Sequence, residues 1–421
     1  MWRGPSGISV SGEKGLPTKW NHSENIAWKV PINGLGVSSP IVWGDRIFVT
    51  SQVGANPLKP GRHPALVLGP EAAGRDRPLG GSRPTASAAK IELVVAAFQR
   101  SDGRALWEYR LDAVAPLSNV HHEKHNLATP SPVTDGERVY AWFGNGQLVA
   151  LDMNGKPLWT RHIGRDYAVF DLDWGHASSP VLHQDRLILL SFQETSAHLV
   201  ALDKRSGKEV WKVVRERGLK SYSTPLVVET AKGPELIVNA SERVEAYSPV
   251  TGKLLWQFDE QNRFPVPMPV YNDGVLYLSR GYRSSPYMAV RTGGSGEISK
   301  TQVVWRVPTG GPYISSLVYY DGLIYMATEL GIVTCIDAKT GELVWRERLG
   351  GFYSASPVAG DGKIYLVSET GETLVLRAGR KPEVLARNGL GEQCIASPAI
   401  SNGQLFIRTD RNLIAIRAAS N

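Results

Sequence analysis

The sequence predicts an all-β fold in which eight similar units follow one another along 421 residues. Three repeated features indicate this: a tryptophan that ends a short strand, a Ser/Thr-Pro step that opens an apolar run, and a glycine turn between short strands. From Pro132 onward the Ser/Thr-Pro step or its counterpart recurs every 40 to 48 residues. A fixed period of this length is typical of repeat architectures, so the chain length is explained by repetition rather than by several domains.

The tryptophan element accounts for much of the unusual composition. Seven of the twelve tryptophans follow an apolar residue at the end of a unit. Small turns with glycine, such as Asn154-Gly155-Lys156 and Thr340-Gly341-Glu342, precede several of them. Such turns need a positive φ, which glycine adopts without strain. We expect these tryptophans to pack between sheets as structural side chains. They are Trp28, Trp107, Trp159, Trp211, Trp256, Trp305 and Trp345.

The Ser/Thr-Pro element completes each unit. Seven copies carry a proline, from Ser39-Pro40 to Ser397-Pro398, and Ser315-Ser316-Leu317 fills the remaining place. Each unit then contains four short strands with tight turns, as in a blade of a β-propeller. The last unit has no tryptophan strand, whereas the first tryptophan strand, around 25–30, has no unit before it. We therefore predict an eight-bladed β-propeller of four-stranded antiparallel blades, closed by the N-terminal strand.

Two segments lie outside the repeat of this single predicted domain, 1–421. Residues 1–22 form a polar lead-in, and residues 54–90 form a Pro/Gly-rich insertion within the first blade. The insertion holds six Lys/Arg and two Asp/Glu, so it supplies +4 of the net charge of +7. The remaining chain lacks the basic stripe that phosphate tracking requires, which argues against nucleic acid as a partner. The sequence also lacks an apolar run long enough for a transmembrane helix.

The combined pattern resembles a known family. The units combine a Ser-Pro strand, an Asp-Gly turn, Ala-Leu-Asp (150–152 and 201–203), Thr-Gly-Lys and a tryptophan. This combination is similar to the PQQ-like β-propeller repeat of quinoprotein dehydrogenases and BamB-type outer-membrane assembly lipoproteins. The opening Trp2-Arg3-Gly4-Pro5 and Gly15-Leu16-Pro17 resemble a bacterial branch of that superfamily. The resemblance covers nearly the whole chain and implies a fold more than a function. It also implies a periplasmic or secreted location, although no signal segment precedes Met1-Trp2-Arg3.

The loops before the Ser/Thr-Pro steps are expected to converge on the central funnel, because strand direction alternates within each blade. Two consecutive loops, 121–126 and 171–176, hold four of the nine histidines. Imidazole with carboxylate suits a divalent ion such as zinc, manganese or iron, and calcium also remains possible. His125, His176 and Asp173 are the catalytic candidates, either through a metal-bound water or as a general base. The predicted metal ligands are His121, His122, His125, Asp173 and His176.

Other residues of the same face are candidates for binding the substrate. Trp174 lies outside the tryptophan repeat, which makes it a candidate for stacking on a ligand. Arginine side chains could hold an anionic group of the substrate. The substrate-binding candidates are Trp174, Tyr222, Arg263, Arg280, Arg283, Tyr313 and Tyr353.

Three functions remain open at this point. The first, and the favoured one, is metal-assisted hydrolysis of a small polar or anionic substrate in the funnel. The second is a PQQ-dependent dehydrogenase, but the vicinal disulfide of the resembling enzymes is missing, since Cys335 and Cys394 lie far apart and are expected to be buried thiols. The third is a BamB-like scaffold without catalysis that binds a partner protein at its rim.

Overall fold

The computed structural model describes residues 1–54, 90–114, 124–167, 169–172, 174–215, 218–282 and 286–419. Eight sheets form eight blades, and the first strands of neighbouring blades contact one another around a central channel. This arrangement confirms the predicted eight-bladed β-propeller. The hydrophobic core lies between neighbouring blades, as in the cluster that joins Phe48 and Leu93 of blade 1 to Val139 and Val149 of blade 2.

In every blade the first strand lies nearest the central channel and the fourth lies toward the outer edge. Blade 1 has β3 (Ile41–Trp43), β4 (Arg46–Val53), β5 (Glu92–Gln99) and β6 (Ala105–Asp112). Blade 2 has β7 (Val133–Thr134), β8 (Arg138–Trp142), β9 (Gln147–Asp152) and β10 (Pro157–His162), followed by the short helix α1 (Ile163–Asp166). Blade 3 has β11 (Val181–His183), β12 (Arg186–Phe192), β13 (Ala197–Asp203) and β14 (Glu209–Arg215). Blade 4 has β15 (Leu226–Thr230), β16 (Gly233–Asn239), β17 (Arg243–Tyr247) and β18 (Leu254–Asp259), extended by β22 (Gly296–Glu297).

The second half of the ring follows the same plan. Blade 5 has β19 (Val270–Asn272), β20 (Val275–Ser279), β21 (Tyr287–Arg291) and β23 (Val303–Val307). Blade 6 has β24 (Val318–Tyr320), β25 (Leu323–Ala327), β26 (Ile332–Asp337) and β27 (Leu343–Arg348). Blade 7 has β28 (Val358–Gly360), β29 (Lys363–Val367), β30 (Glu372–Arg377) and β31 (Glu383–Gly389), and β1 (Val10–Ser11) pairs with β28. Blade 8 has β32 (Ala399–Ser401), β33 (Gln404–Arg408), β34 (Asn412–Ile416) and β2 (Ile26–Pro31).

Blade 8 closes the ring with strands from both parts of the chain. The N-terminal strand β2 pairs antiparallel with β34, with Trp28 opposite Ala415 and Pro31 opposite Asn412. The predicted closure by the N-terminal strand is therefore confirmed, and it satisfies an edge that would otherwise be unpaired. The insertion predicted at 54–90 lies almost wholly outside the described residues, between the paired ends of β4 and β5, and stays a prediction.

Six of the repeated tryptophans join a blade to the next one. The Trp107 indole N–H donates to the carbonyl of Met153 at 2.9 Å, and its ring covers Gly155, where a Cβ atom would lie 2.6 Å from the ring. Gly155 also has φ of +84°, so both its backbone and its close neighbour require glycine. Trp28, Trp159, Trp211, Trp305 and Trp345 make the same kind of hydrogen bond to a carbonyl of the following blade.

The Ser/Thr-Pro steps form a second link around the channel. The backbone N–H of Ser39 donates to the Ser131 hydroxyl at 2.9 Å, and the N–H of Ser131 donates to the Ser179 hydroxyl at the same distance. Two series of these bonds connect blades 1 to 4 and blades 5 to 8. The remaining pairs are Ser179 with Thr224, Met268 with Ser316, Ser316 with Ser356, and Ser356 with Ser397.

The N-terminal segment, expected to be a polar lead-in, packs deeply into the ring. Arg3 is 6% exposed and donates to the carbonyls of Met268 and Leu317 and to the Ser9 hydroxyl. Burial lowers the pKa of its guanidinium to about 9. The segment therefore contacts the inner strands of blades 5 and 6 before β1 pairs with blade 7. In the described part of the chain, no helix is long and apolar enough to cross a membrane.

A cavity at the centre of the ring

The loops that precede the innermost strands surround a cavity of about 170 Å3. Four of the residues proposed from sequence line it: His125, Trp174, Tyr222 and Tyr313. Its wall also contains a ring of hydroxyl groups from the Ser/Thr-Pro steps, namely Ser39, Ser131, Ser179, Thr224, Ser356 and Ser397. Trp2 of the N-terminal segment lines the cavity as well. The cavity is therefore built by both the repeated blades and the non-repeated N terminus.

Aromatic side chains form one side of the cavity. Tyr222 and Phe264 have ring centroids 6.1 Å apart, Phe264 and Tyr282 are 4.9 Å apart, and Tyr282 and Tyr313 are 5.2 Å apart. Trp174 packs against the same cluster. We call these five residues the aromatic arc. Four of them line the cavity from the loops that lead into blades 3 to 6, and Tyr282 lies behind them in the β20–β21 loop of blade 5. Such rings offer a flat apolar surface with defined orientation.

Two cations already face the arc. The Lys220 ammonium lies 5.1 Å from the centroid of Phe264, and the Arg263 guanidinium lies 5.2 Å from it. Lys220 also forms hydrogen bonds of 2.8 Å with both carboxylate oxygens of Glu194. Arg263 itself is exposed at the surface rather than inside the cavity. The predicted anion-binding role of Arg263 stays a prediction, with its guanidinium placed against an aromatic ring.

A buried ion pair forms the polar side of the cavity. The Lys124 ammonium lies 2.6 Å from Oε1 of Glu369, with side chains only 3% and 0% exposed. The Ser354 hydroxyl donates to the same oxygen at 2.5 Å. Lys124 precedes blade 2 and Glu369 belongs to blade 7, which are not neighbours, so the pair bridges the channel. Lys124 and Ser354 both line the cavity.

A second buried carboxylate orients the loop that carries Tyr313. Glu329 Oε1 accepts hydrogen bonds from the backbone N–H groups of Tyr313 at 2.6 Å and Ile314 at 3.0 Å. Burial raises the pKa of Glu329 to about 7, although these N–H groups and the charge of Lys124 act in the opposite direction. This carboxyl can therefore change its protonation state close to neutral pH.

Two of the candidate histidines, His125 and His176, lie within the described residues and occupy different environments. His125 is 8% exposed and lines the cavity. His176 is 1% exposed and packs between Trp142 and Phe170, with ring centroids 4.3 and 4.8 Å away. Its Nδ1 lies 3.3 Å from the Gln193 amide nitrogen, and burial lowers the pKa of the imidazole to about 3. His176 is thus a neutral side chain of the blade 2–3 interface and is not among the residues that line the cavity.

The remaining metal-ligand candidates cannot be placed. His121, His122 and Asp173 lie outside the described residues. Within the described ranges, no three His, Cys, Asp or Glu side chains come together as a group that could hold a metal ion.

Arg280 and Tyr353 turn away from the cavity. Arg280 is fully buried, and its guanidinium donates to the carbonyls of Ala240 at 2.6 Å and Glu260 at 2.5 Å and to the Asn239 side chain. Burial lowers the pKa of Arg280 to about 9. Its contacts connect blades 4 and 5. Tyr353 is 1% exposed within the core between blades 6 and 7, and Arg283 lies outside the described residues.

Glu329 and Glu369 were not predicted as site residues, although both lie in a short motif that recurs in the sequence. Thr328-Glu329-Leu330-Gly331 and Ser368-Glu369-Thr370-Gly371 occupy the same place after the second strand of blades 6 and 7. A glutamate repeated at this position, on the face of the funnel loops, could have been recognised. The hydroxyl ring was visible as the Ser/Thr-Pro repeat, but its hydrogen-bonding role depends on neighbouring blades.

Comparisons with known proteins support the architecture. A family model described as outer membrane protein assembly factor BamB matches residues 82–213, 149–295 and 240–381, which together span more than half of the chain. A comparison with curated protein sequences found no significant match.

Two solved structures illustrate the similarity. BamB from Moraxella catarrhalis aligns with 17% identity and a TM-score of 0.57, covering 78% of this chain and 89% of that one. Quinohemoprotein alcohol dehydrogenase from Comamonas testosteroni aligns with 10% identity and a TM-score of 0.66, covering 99% and 80%. At these identities the similarity shows the fold alone.

Proposed function

The chain belongs to the PQQ-like β-propeller family whose model is described as outer membrane protein assembly factor BamB, and from this premise we propose that it binds one small molecule in its central cavity. The observation that carries this proposal is the ion pair of Lys124 and Glu369 at the cavity wall. Removing two charges from water costs several kcal/mol per ion, so such a pair is weak evidence for stability alone. Its position beside an aromatic-lined space supports a role in ligand binding.

The residues on the two sides of the cavity are expected to contact different parts of the ligand. The aromatic arc offers its faces to a flat or apolar part of the ligand. On the other side, the Lys124 ammonium is a donor, and the Ser354 oxygen is an acceptor because its hydrogen is donated to Glu369. His125 is the histidine among the described residues of this wall, and histidine is the side chain most often used to accept or donate a proton in catalysis. If the protein is an enzyme, His125 is our candidate for the general base.

The proposal can be tested with a fragment screen on the purified full chain. Binding is followed by ligand-observed NMR, and hits are repeated with Trp174→Ala. The matched control is Trp43→Ala, since Trp43 is 48% exposed and lies at the end of β3 in blade 1, next to the turn on the opposite face. We expect hits that lose at least tenfold affinity in Trp174→Ala and keep it in Trp43→Ala. Hits that respond equally to both variants, or an absence of hits, would contradict a ligand site in the cavity.

Metal-assisted hydrolysis is the finer form of this proposal. His125 lines the cavity directly after the histidine pair 121–122, so a metal there would need ligands from His121, His122 or Asp173. Elemental analysis of tag-free protein measures the metal content. About one zinc, manganese, iron or calcium ion per chain, lost in His125→Ala, would support metal-assisted hydrolysis. Substoichiometric metal would contradict it.

The cofactor PQQ does not match the described part of the cavity. PQQ carries several carboxylates, whereas Lys124 is the one Lys or Arg among the described lining residues and is already paired with Glu369. Cys335 and Cys394 are both buried thiols in different parts of the ring, so the described residues offer no adjacent thiols. We therefore assign no step to this cofactor.

Binding of a protein at the rim is a second candidate function. Leu330 and Phe352 are 47% and 40% exposed, and both lie in loops on the cavity side of blades 6 and 7. The family description supports a protein partner and, with it, a periplasmic or secreted location. Leu330→Asp/Phe352→Asp should abolish capture of that partner from a periplasmic extract while leaving the fragment hits unchanged. Capture that is unaffected by the double variant would exclude this surface.

A further inference from the structure

The N-terminal segment crosses the central channel. Met1 packs against the apolar clusters between blades 2 and 3 and between blades 3 and 4. Trp2 packs against the cluster between blades 4 and 5 and lines the cavity. Arg3 donates to carbonyls directly before the innermost strands of blades 5 and 6, and β1 then pairs with β28, the innermost strand of blade 7. Residues 1–11 therefore span the channel from the side of blades 2 to 4 to the side of blade 7.

The first part of this segment is a compact loop whose ends are tied together. The backbone N–H of Ser9 donates to the carbonyl of Arg3 at 2.9 Å, and Arg3 Nε donates to the Ser9 hydroxyl at 2.7 Å. Gly7 lies so close to the channel wall that a Cβ atom there would be 2.9 Å from Leu226 of blade 4. We call residues 1–9 the plug, because this loop lies across the channel at the level of the Ser/Thr-Pro steps.

The docked plug carries two costs in free energy. Arg3 and Ser9 have φ values of +65° and +61°, a region of the backbone that disfavours residues with a Cβ atom. Arg3 is also buried and forms no ion pair within the described part of the chain, so its charge leaves water without an opposite charge nearby. Only two residue pairs connect β1 to blade 7. A strained segment with so short a strand is expected to open before the blades do.

We infer that the plug closes the channel beneath the cavity reversibly and, on the basis of the proposed function, that a ligand in the cavity stabilises its docked state. Trp2 is part of the cavity wall while the plug is docked. A ligand that contacts Trp2 therefore binds the docked state more tightly than the released state, and this difference shifts the equilibrium toward docking. Release opens the channel toward the opposite face, where the Leu16 N–H is bound by the Asp361 carboxylate. The plug thus couples occupancy of the cavity to access from that face.

Hydrogen exchange of single backbone amides measures the opening of the plug. The N–H of Ala359 in β28 donates to the carbonyl of Ser9 at 2.9 Å, so its protection reports on the docked plug. Val375 in β30 is paired on both sides within the same blade and reports on opening of the blade. Exchange is followed on the purified full chain by mass spectrometry with fragmentation of the peptides. We expect Ala359 to exchange at least about 100-fold faster than Val375. Equal rates would mean that plug and blade open together, which overturns the inference.

Glycine variants connect this exchange to the plug. Gly4→Ala adds strain at φ of +83° without a collision and should speed exchange at Ala359 about fivefold. Gly7→Ala adds strain and the contact with Leu226, and should speed it at least about tenfold. Gly12→Ala is the matched control, since its Cβ would meet open space and its φ is not positive, and it should change nothing. No effect of Gly4→Ala and Gly7→Ala, or an equal increase at Val375, would refute a separately opening plug.

The coupling to the cavity is measured with fragments whose binding depends on Trp174. At saturation such a fragment should slow exchange at Ala359 at least about fivefold, since it holds the plug docked. A fragment that binds but leaves this rate unchanged refutes the coupling. If no fragment binds the cavity, the proposed function fails and the coupling fails with it, whereas the plug itself is decided by the variants Gly4→Ala and Gly7→Ala alone.

Discussion

Breaking the Lys124–Glu369 pair is the most informative perturbation of the cavity. Both side chains are almost completely buried, so Lys124→Met leaves Glu369 charged in a site from which water is excluded. Losing one partner of a buried pair costs about 3–5 kcal/mol. Unfolding entropies near 2.1 cal/mol/K per residue correspond to about 0.9 kcal/mol/K for this chain. The melting temperature should therefore fall by about 3–6 K.

The pairing itself is measured by a double-mutant cycle. Glu369→Gln keeps an acceptor for Ser354 but removes the charge, and Lys124→Met/Glu369→Gln removes both charges. We expect the double variant to lose at least about 1.5 kcal/mol less than the sum of the single variants. Calorimetry and urea unfolding give both quantities. The exposed pair of Lys90 and Asp112 is the control, since Lys90→Met should shift the melting temperature by less than about 1 K.

Additive single variants would refute the reasoning. If the double variant equals the sum within about 0.5 kcal/mol, Lys124 and Glu369 do not stabilise each other and the ion pair is not formed in solution. If each single variant costs less than about 1 kcal/mol, water reaches the pair, as it does in surface pairs.

Three further predictions concern the blades and the loop of Tyr313. Gly155→Ala should lower the free energy of unfolding by about 2–4 kcal/mol in urea titrations, because a Cβ at positive φ would collide with Trp107; an unchanged midpoint would contradict this packing. Ser179→Ala should cost about 1–3 kcal/mol in the same assay, because the buried N–H of Ser131 loses its acceptor, whereas Ser179→Thr should retain most of the stability. The pKa of Glu329 rises from its ordinary value of 4.5 to about 7, so the folded protein holds a proton that the unfolded chain releases. The free energy of unfolding should therefore fall as pH rises from about 4.5 to 7, by at most about 1.4 kcal/mol per unit, and Glu329→Gln should remove this part of the slope.

The fold could be predicted from sequence because its signals are local and repeated. A tryptophan, a glycine turn and a Ser/Thr-Pro step recur in most blades, and most copies of each element have nearly the same environment. Even the closing strand followed from counting, since one tryptophan strand lacked a blade and one blade lacked a strand. The repeat does not indicate how the non-repeated N-terminal segment packs. There, Arg3 donates hydrogen bonds to carbonyls of blades 5 and 6 and so connects them.

The candidate site was predictable only to the level of its loops. The alternation of strand direction within a blade indicates which loops face the channel. The direction of a side chain, however, depends on packing between blades. His176 and Arg280 both belong to such loops, yet one turns into an aromatic cluster and the other toward backbone carbonyls. Glu369 shows the opposite case, since its partner Lys124 is 245 positions away in sequence. Charge pairing over this distance has no local signature.

The N-terminal strand has a consequence for the order in which the protein can fold during synthesis. β2 leaves the ribosome before any of the eight innermost strands, but its partner β34 (Asn412–Ile416) leaves only after blades 1 to 7. At about 5–20 residues per second, close to 400 residues take roughly 20–80 s to synthesise. Throughout that time β2 and its tryptophan remain exposed, although blades 2 to 6 are already complete enough to pack. Ring closure therefore requires β2 to meet β34, and a binding protein that shields residues 26–31 would delay this step without affecting the other blades.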